Sequence, residues 1–89
     1  MNAKKTMKTE KVFETLANKY YEYSYAAEYH KARGDVTVEA ELSEGLKAID
    51  EILTDLGFRE DLDYKRVQKK YTRESDGFSF EYWVIKPIA

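Results

Sequence analysis

The sequence has no cysteine, one histidine, one proline and four glycines in 89 residues. Without cysteine there is no disulfide, no zinc–thiolate or iron–sulfur site, and no thiol nucleophile. A single imidazole rules out any site built on two histidines of one chain. No apolar run approaches the ~18 residues that a membrane span needs. The start, Met1-Asn2-Ala3-Lys4-Lys5-Thr6-Met7-Lys8, is basic but has no apolar stretch behind it, unlike a signal peptide. A cytoplasmic protein is expected. The four glycines are scattered, so no phosphate-cradling loop can be assembled from them.

What remains is globular in character, with 43% hydrophobic and 36% charged residues. Aromatic side chains are abundant: eight tyrosines, four phenylalanines and one tryptophan. The net charge of −2 conceals a segregation. Residues 1–34 carry seven basic and four acidic side chains, residues 35–63 two and ten, and residues 64–89 six and three. An acidic middle between basic ends can steer a charged partner, or can neutralise itself within one fold.

The hydrophobic pattern predicts a loose basic arm over 1–8 and one α+β domain over 9–86. A first helix begins near Thr6 or Thr9, whose hydroxyls can cap free N–H groups, and stops at Gly34. Phe13, Leu16, Tyr20, Tyr23 and Ala27 form its apolar stripe. After a cap at Asp35, Val38, Leu42, Leu46, Ile49, Ile52, Leu53 and Leu56 form a second stripe that ends at Gly57. Residues 36–42 also alternate with period two, so a short strand competes there, but the stripe runs through them in helical phase. Gly45 lies on this apolar face and predicts close approach to the first helix near Ser24 or Ala27.

The last third reads as a hairpin, with 64–73 and 78–86 flanking Asp76-Gly77. A two-residue loop and the four-residue loop Glu74-Ser75-Asp76-Gly77 give the same facing. Val67, Tyr71, Phe78, Phe80, Tyr82 and Val84 share one face, and Gln68, Lys70, Thr72, Ser79, Glu81, Trp83 and Ile85 share the other. The first set is the more apolar and is expected to meet the helices. The fold class is therefore two antiparallel helices packed on one face of a C-terminal β-hairpin (α-α-β-β).

Catalytic chemistry finds little support. His30 stands alone at the end of a helical stripe. Glu60, Asp61 and Asp63 lack the alternation and closing glutamate of a calcium loop, and read as a solvated turn. No catalytic residue, metal or cofactor is expected. Lys65, Arg66, Lys69, Lys70 and Arg73, with Tyr71 among them, have the cations and stacking ring of a single-strand nucleic-acid binder. These charges alternate between both strand faces, and the protein as a whole is acidic, so nucleic acid is the second choice.

Protein binding uses more of the pattern. Trp83 and Ile85, beside Arg66 and Lys70 on the uncovered hairpin face, have the composition of an interface hot spot. Tyr25 and Tyr29 on the first helix are hard to bury in so small a domain and form a second patch, while Tyr21 can roof the hairpin. Joining two outer sheet faces in a homodimer is another use of Trp83. Coverage of Trp83 by the arm or by Pro87-Ile88-Ala89 is the alternative. The acidic residues Asp50, Glu51 and Asp55 offer a lower-ranked surface that could mimic a phosphate track.

The run Lys19-Tyr20-Tyr21-Glu22-Tyr23-Ser24-Tyr25-Ala26-Ala27-Glu28, with Gly34-Asp35 and a helix ending Asp55-Leu56-Gly57, resembles small accessory proteins of Gram-positive phages and conjugative elements. The resemblance covers about residues 19–57, leaves out the hairpin, and carries over no functional residue. It implies an inhibitor that occupies a host defence protein, such as an anti-CRISPR protein acting on a CRISPR nuclease.

Overall fold

The computed structural model describes the backbone of residues 7–88 and the side chains of residues 10–88. Helix α1 spans Met7–Ala32, α2 spans Val36–Asp55, and strands β1 (Tyr64–Thr72) and β2 (Ser79–Pro87) form one antiparallel hairpin. The α-α-β-β order is the one expected. Met7 and Lys8 of the expected arm belong to α1, and residues 1–6 lie outside the described residues. Residues 36–42 are helical, as the phase of the stripe indicated.

Both helices end in the same way. The Gly34 N–H donates to the Lys31 carbonyl and the Asp35 N–H to that of His30, with Gly34 at φ 84°. At the second end Gly57 (φ 92°) donates to Thr54 and Phe58 to Leu53. These are paired Schellman closures, which require a left-handed residue and so favour glycine. The second one also turns Phe58 inward, where it joins Leu53 in the core. Asp35 does not cap α2 with its side chain. Its carboxylate turns back to His30 Nδ1, at 3.2 Å.

The core unites Phe13 and Tyr20 of α1, Ile49 and Leu53 of α2, Phe58 of the connection, Tyr64 of β1 and Ile85 of β2. α2 packs on α1, and α1 packs on β2. With α1 as its main cover, the flank of α2 carrying Val38, Ile52 and Leu56 stays partly exposed, although the stripe placed these residues inside.

Gly45 does make a close approach, but to Tyr23 rather than to Ser24 or Ala27. A methyl group at Gly45 would lie 2.5 and 2.6 Å from two Tyr23 ring carbons. Gly45→Ala should gain about 1 kcal/mol of helix propensity and lose more, about 2 kcal/mol, to overpacking. Urea denaturation should show net destabilisation, and the sign should reverse in a Tyr23→Ala background.

The α1–β2 contact decides which hairpin surfaces are free. The Trp83 N–H donates to Ser24 Oγ at 2.8 Å, and Ser24 is buried. A strand N–H that meets a helix side chain points away from its own ladder, so α1 lies along the outer edge of β2. At 100° per residue, Tyr21, Tyr25 and Tyr29 turn to one side of Ser24, and Phe13, Tyr20 and Tyr23 to the other. One helix thus overlaps both faces of the hairpin.

Candidate functional site: the outer side of the hairpin

The strand register pairs Val67 with Val84, Gln68 with Trp83, Lys70 with Glu81 and Tyr71 with Phe80. The facing read from the sequence holds, with the four-residue loop. The Arg73 N–H donates to the Phe78 carbonyl at 2.7 Å, which closes the ladder ahead of the turn. Asp76 organises that turn: its carboxylate accepts from Arg73 Nε and Nη2 at 3.0 and 2.7 Å, and from the Phe78 N–H at 3.0 Å.

These bonds, the Arg73 pair foremost, pull the Asp76 carboxyl down to a pKa of about 2. A depressed carboxylate stabilises above its unfolded pKa, ~3.9, and that contribution is lost as pH falls through the folded value. The loop should therefore keep its structure to about pH 3 and loosen near pH 2. The Phe78 amide resonance followed by NMR should titrate with that low midpoint. A midpoint near 4 would contradict the pairing.

The expected faces are right, but their assignment to core and solvent is only half right. Tyr71, Phe80 and Tyr82 do meet α1. Tyr25 sits 5.0 Å from Phe80, 5.1 Å from Tyr82 and 5.8 Å from Tyr71, centroid to centroid. Tyr29 packs edge-on to Phe78 and Phe80, and Tyr21, though exposed, reaches Tyr82. Tyr25 and Tyr29 are thus part of a helix–hairpin aromatic cluster and not a second free patch. Tyr71 belongs to the same cluster, half-buried against Tyr25 and Phe80.

The other face divides along its length. Near the ends of the hairpin it turns under α1, and Ile85 is only 4% exposed. Ile85 is therefore a core residue and leaves the expected contact patch. Arg66 leaves it too: Nη2 meets Asp50 at 3.0 Å, Nε meets Glu60 at 3.0 Å, and Nη1 donates to Tyr20 Oη. Asp50 is consequently no free acid for phosphate mimicry. Burial raises the Asp50 carboxyl and lowers the Arg66 guanidinium, so desolvation competes with their attraction.

Trp83 remains, at 40% exposure, together with Lys70, Gln68, Glu81, Thr72 and Ser79, all exposed. Gln68 Nε2 donates to Glu81 Oε1 at 3.3 Å, bracing the middle of this surface. The C-terminal segment is held elsewhere, with the Ile88 N–H donating to the Asp63 carbonyl at 3.0 Å. Of the basic set, Arg66 and Arg73 are tied to acids, while Lys65, Lys69 and Lys70 form no ion pair among the described residues.

The acidic turn is likewise occupied. Glu60 holds Arg66, the Asp63 carboxylate accepts the Arg59 N–H at 2.7 Å, and the Asp61 N–H donates to the Tyr64 carbonyl. A groove of about 770 Å³ lies beyond it, with Phe13, Ala17, Phe58, Leu62 and Ile88 in its lining and Glu10, Glu14, Asn18 and Asp63 as polar groups. That lining holds carboxylates and one amide but neither imidazole nor hydroxyl. No helix among the described residues is long and apolar enough to cross a membrane.

No protein-family model, curated protein or solved structure matches this chain.

Proposed function

We propose that this chain is a non-enzymatic, cytoplasmic protein-binding module that docks a partner on the outer side of its hairpin. The observation that carries the reading is Trp83: the only tryptophan is 40% exposed, on a strand face that it shares with the exposed Lys70, Gln68 and Glu81. A large ring left in water costs stability, and tryptophan is the residue most enriched at binding hot spots. In the form the resemblance implies, the partner is a host defence protein such as a CRISPR nuclease, and binding inhibits it.

Nucleic-acid binding is the second reading, favoured by Lys65, Lys69 and Lys70, which form no ion pair among the described residues. It is weakened because Arg66, Arg73 and Tyr71 are engaged within the fold. Phosphate contacts release counterions, so such binding falls steeply with salt, whereas a Trp-centred interface changes little.

Affinity capture of the tagged chain from a bacterial lysate, with and without nuclease, separates the two. One protein retained at near-equal stoichiometry after nuclease treatment supports the module. Recovery that vanishes with nuclease overturns it in favour of the basic hairpin.

A further inference from the structure

The hairpin has two edges, and α1 covers only one. β2 gives its outer edge to α1 through the Trp83–Ser24 bond, while among the described residues no helix backbone lies along the outer edge of β1, whose helix contacts are made by side chains. Because the Trp83 N–H points away from the ladder, its partner Gln68 turns its own N–H and C=O away from β2 as well. The period of two extends this orientation to Arg66, Lys70 and Thr72. Arg73, whose N–H bonds Phe78, falls in the alternate, ladder-bonded set. The start of the edge is closed by the Asp61 N–H on the Tyr64 carbonyl and by the adjoining bridge at Glu60. Among the described residues, 66–72 are left as an open edge roughly 20 Å long at the usual strand rise.

Charge selects what can pair there. Lys65 and Lys69 on one face and Lys70 on the other are exposed and without ion pairs among the described residues. A second copy of β1 would set lysines against lysines, which is destabilising and is a common way for natural edges to avoid self-pairing. The same three charges attract a strand that carries Asp or Glu. We infer that the open edge of β1 accepts an acidic, extended segment of a partner protein as a third strand, through backbone bonds at Gln68, Lys70 and Thr72. This rests on the protein-binding reading and names the chemistry of the partner. Trp83 then lies one strand in from the new pairing, on the same face as Gln68 and Lys70.

The test is a ¹⁵N NMR titration of the full chain with the capped peptide Glu-Val-Glu-Thr-Glu-Val-Glu-Thr. Strand addition should slow amide hydrogen exchange at Gln68, Lys70 and Thr72, and leave Lys69 and Tyr71, already ladder-bonded, unchanged. The Lys65→Glu/Lys69→Glu variant should bind at least about tenfold more weakly, because like charges then face each other. A peptide N-methylated at alternate residues should not bind. No binding at about 1 mM, a millimolar limit worth only about 4 kcal/mol, would overturn the inference. Binding that leaves the three amides exchanging as in the free protein would overturn it too. Both failures leave the capture experiment free to support or sink the protein-binding module itself.

Discussion

Replacing Ile85 by alanine should cost about 3 kcal/mol, within the usual range for truncating a buried isoleucine. Its side chain is 4% exposed among Phe13, Tyr20, Ile49 and Leu53, a core with no alternative filler. A domain of this length has a total stability of roughly 5–13 kcal/mol, so this loss should lower the melting temperature by roughly 10–20 °C. Trp83→Ala, two residues away on the same strand face, should cost less, about 2 kcal/mol, since the residue is 40% exposed and only its covered part contributes burial. Thermal denaturation of the two variants side by side reads the difference directly. Equal losses would place Trp83 in the core and remove the contact surface.

Arg66→Ala should be the most damaging change of a charged residue, at about 2–3 kcal/mol. Removing one member of a buried ion pair costs about 3–5 kcal/mol. Here the Arg66 and Asp50 side chains are 26% and 39% exposed, which discounts that figure. The variant leaves Asp50 and Glu60 without their shared cation, and burial already raises both carboxyls. A raised carboxyl means that the folded state binds more protons, so stability falls as pH rises through the carboxylate range. Arg66→Ala should therefore recover part of its loss when the pH is lowered from 7 toward 5. Asp50→Asn, which removes a charge that desolvation already disfavours, should be the milder substitution. Urea denaturation of both variants at the two pH values checks the order and the sign.

Local signals carried most of the fold. Glycines at 34 and 57 stop both helices because each closure needs a left-handed residue there, and the parity of the hairpin follows from Asp76-Gly77 and a four-residue loop. The site was less legible because it depends on how the hairpin docks. An alternation pattern says which residues share a face, but not that one helix lies along a strand edge and overlaps both faces. That docking is what buries Ile85, Tyr25 and Tyr29 together. Its trace in the sequence is small: Ser24 and Ala27 are small residues on an otherwise bulky stripe, where a strand can come close. The position of Arg66 is hidden from the pattern for a related reason. Alternation set it on the outer face, but a long side chain at the end of a ribbon reaches the acidic residues of other elements. Phe58 has no signature in the pattern because it belongs to no periodic segment and is turned inward by the closure at Gly57.

The most direct measurement is the affinity of the captured protein, once purified, for the wild-type chain and for Trp83→Ala. Circular dichroism would first establish that the variant is folded under the assay conditions. A hot-spot tryptophan contributes at least about 2 kcal/mol, or about 30-fold in Kd. A loss of that size is expected, with little dependence on salt. An unchanged Kd in a folded Trp83→Ala variant would contradict it.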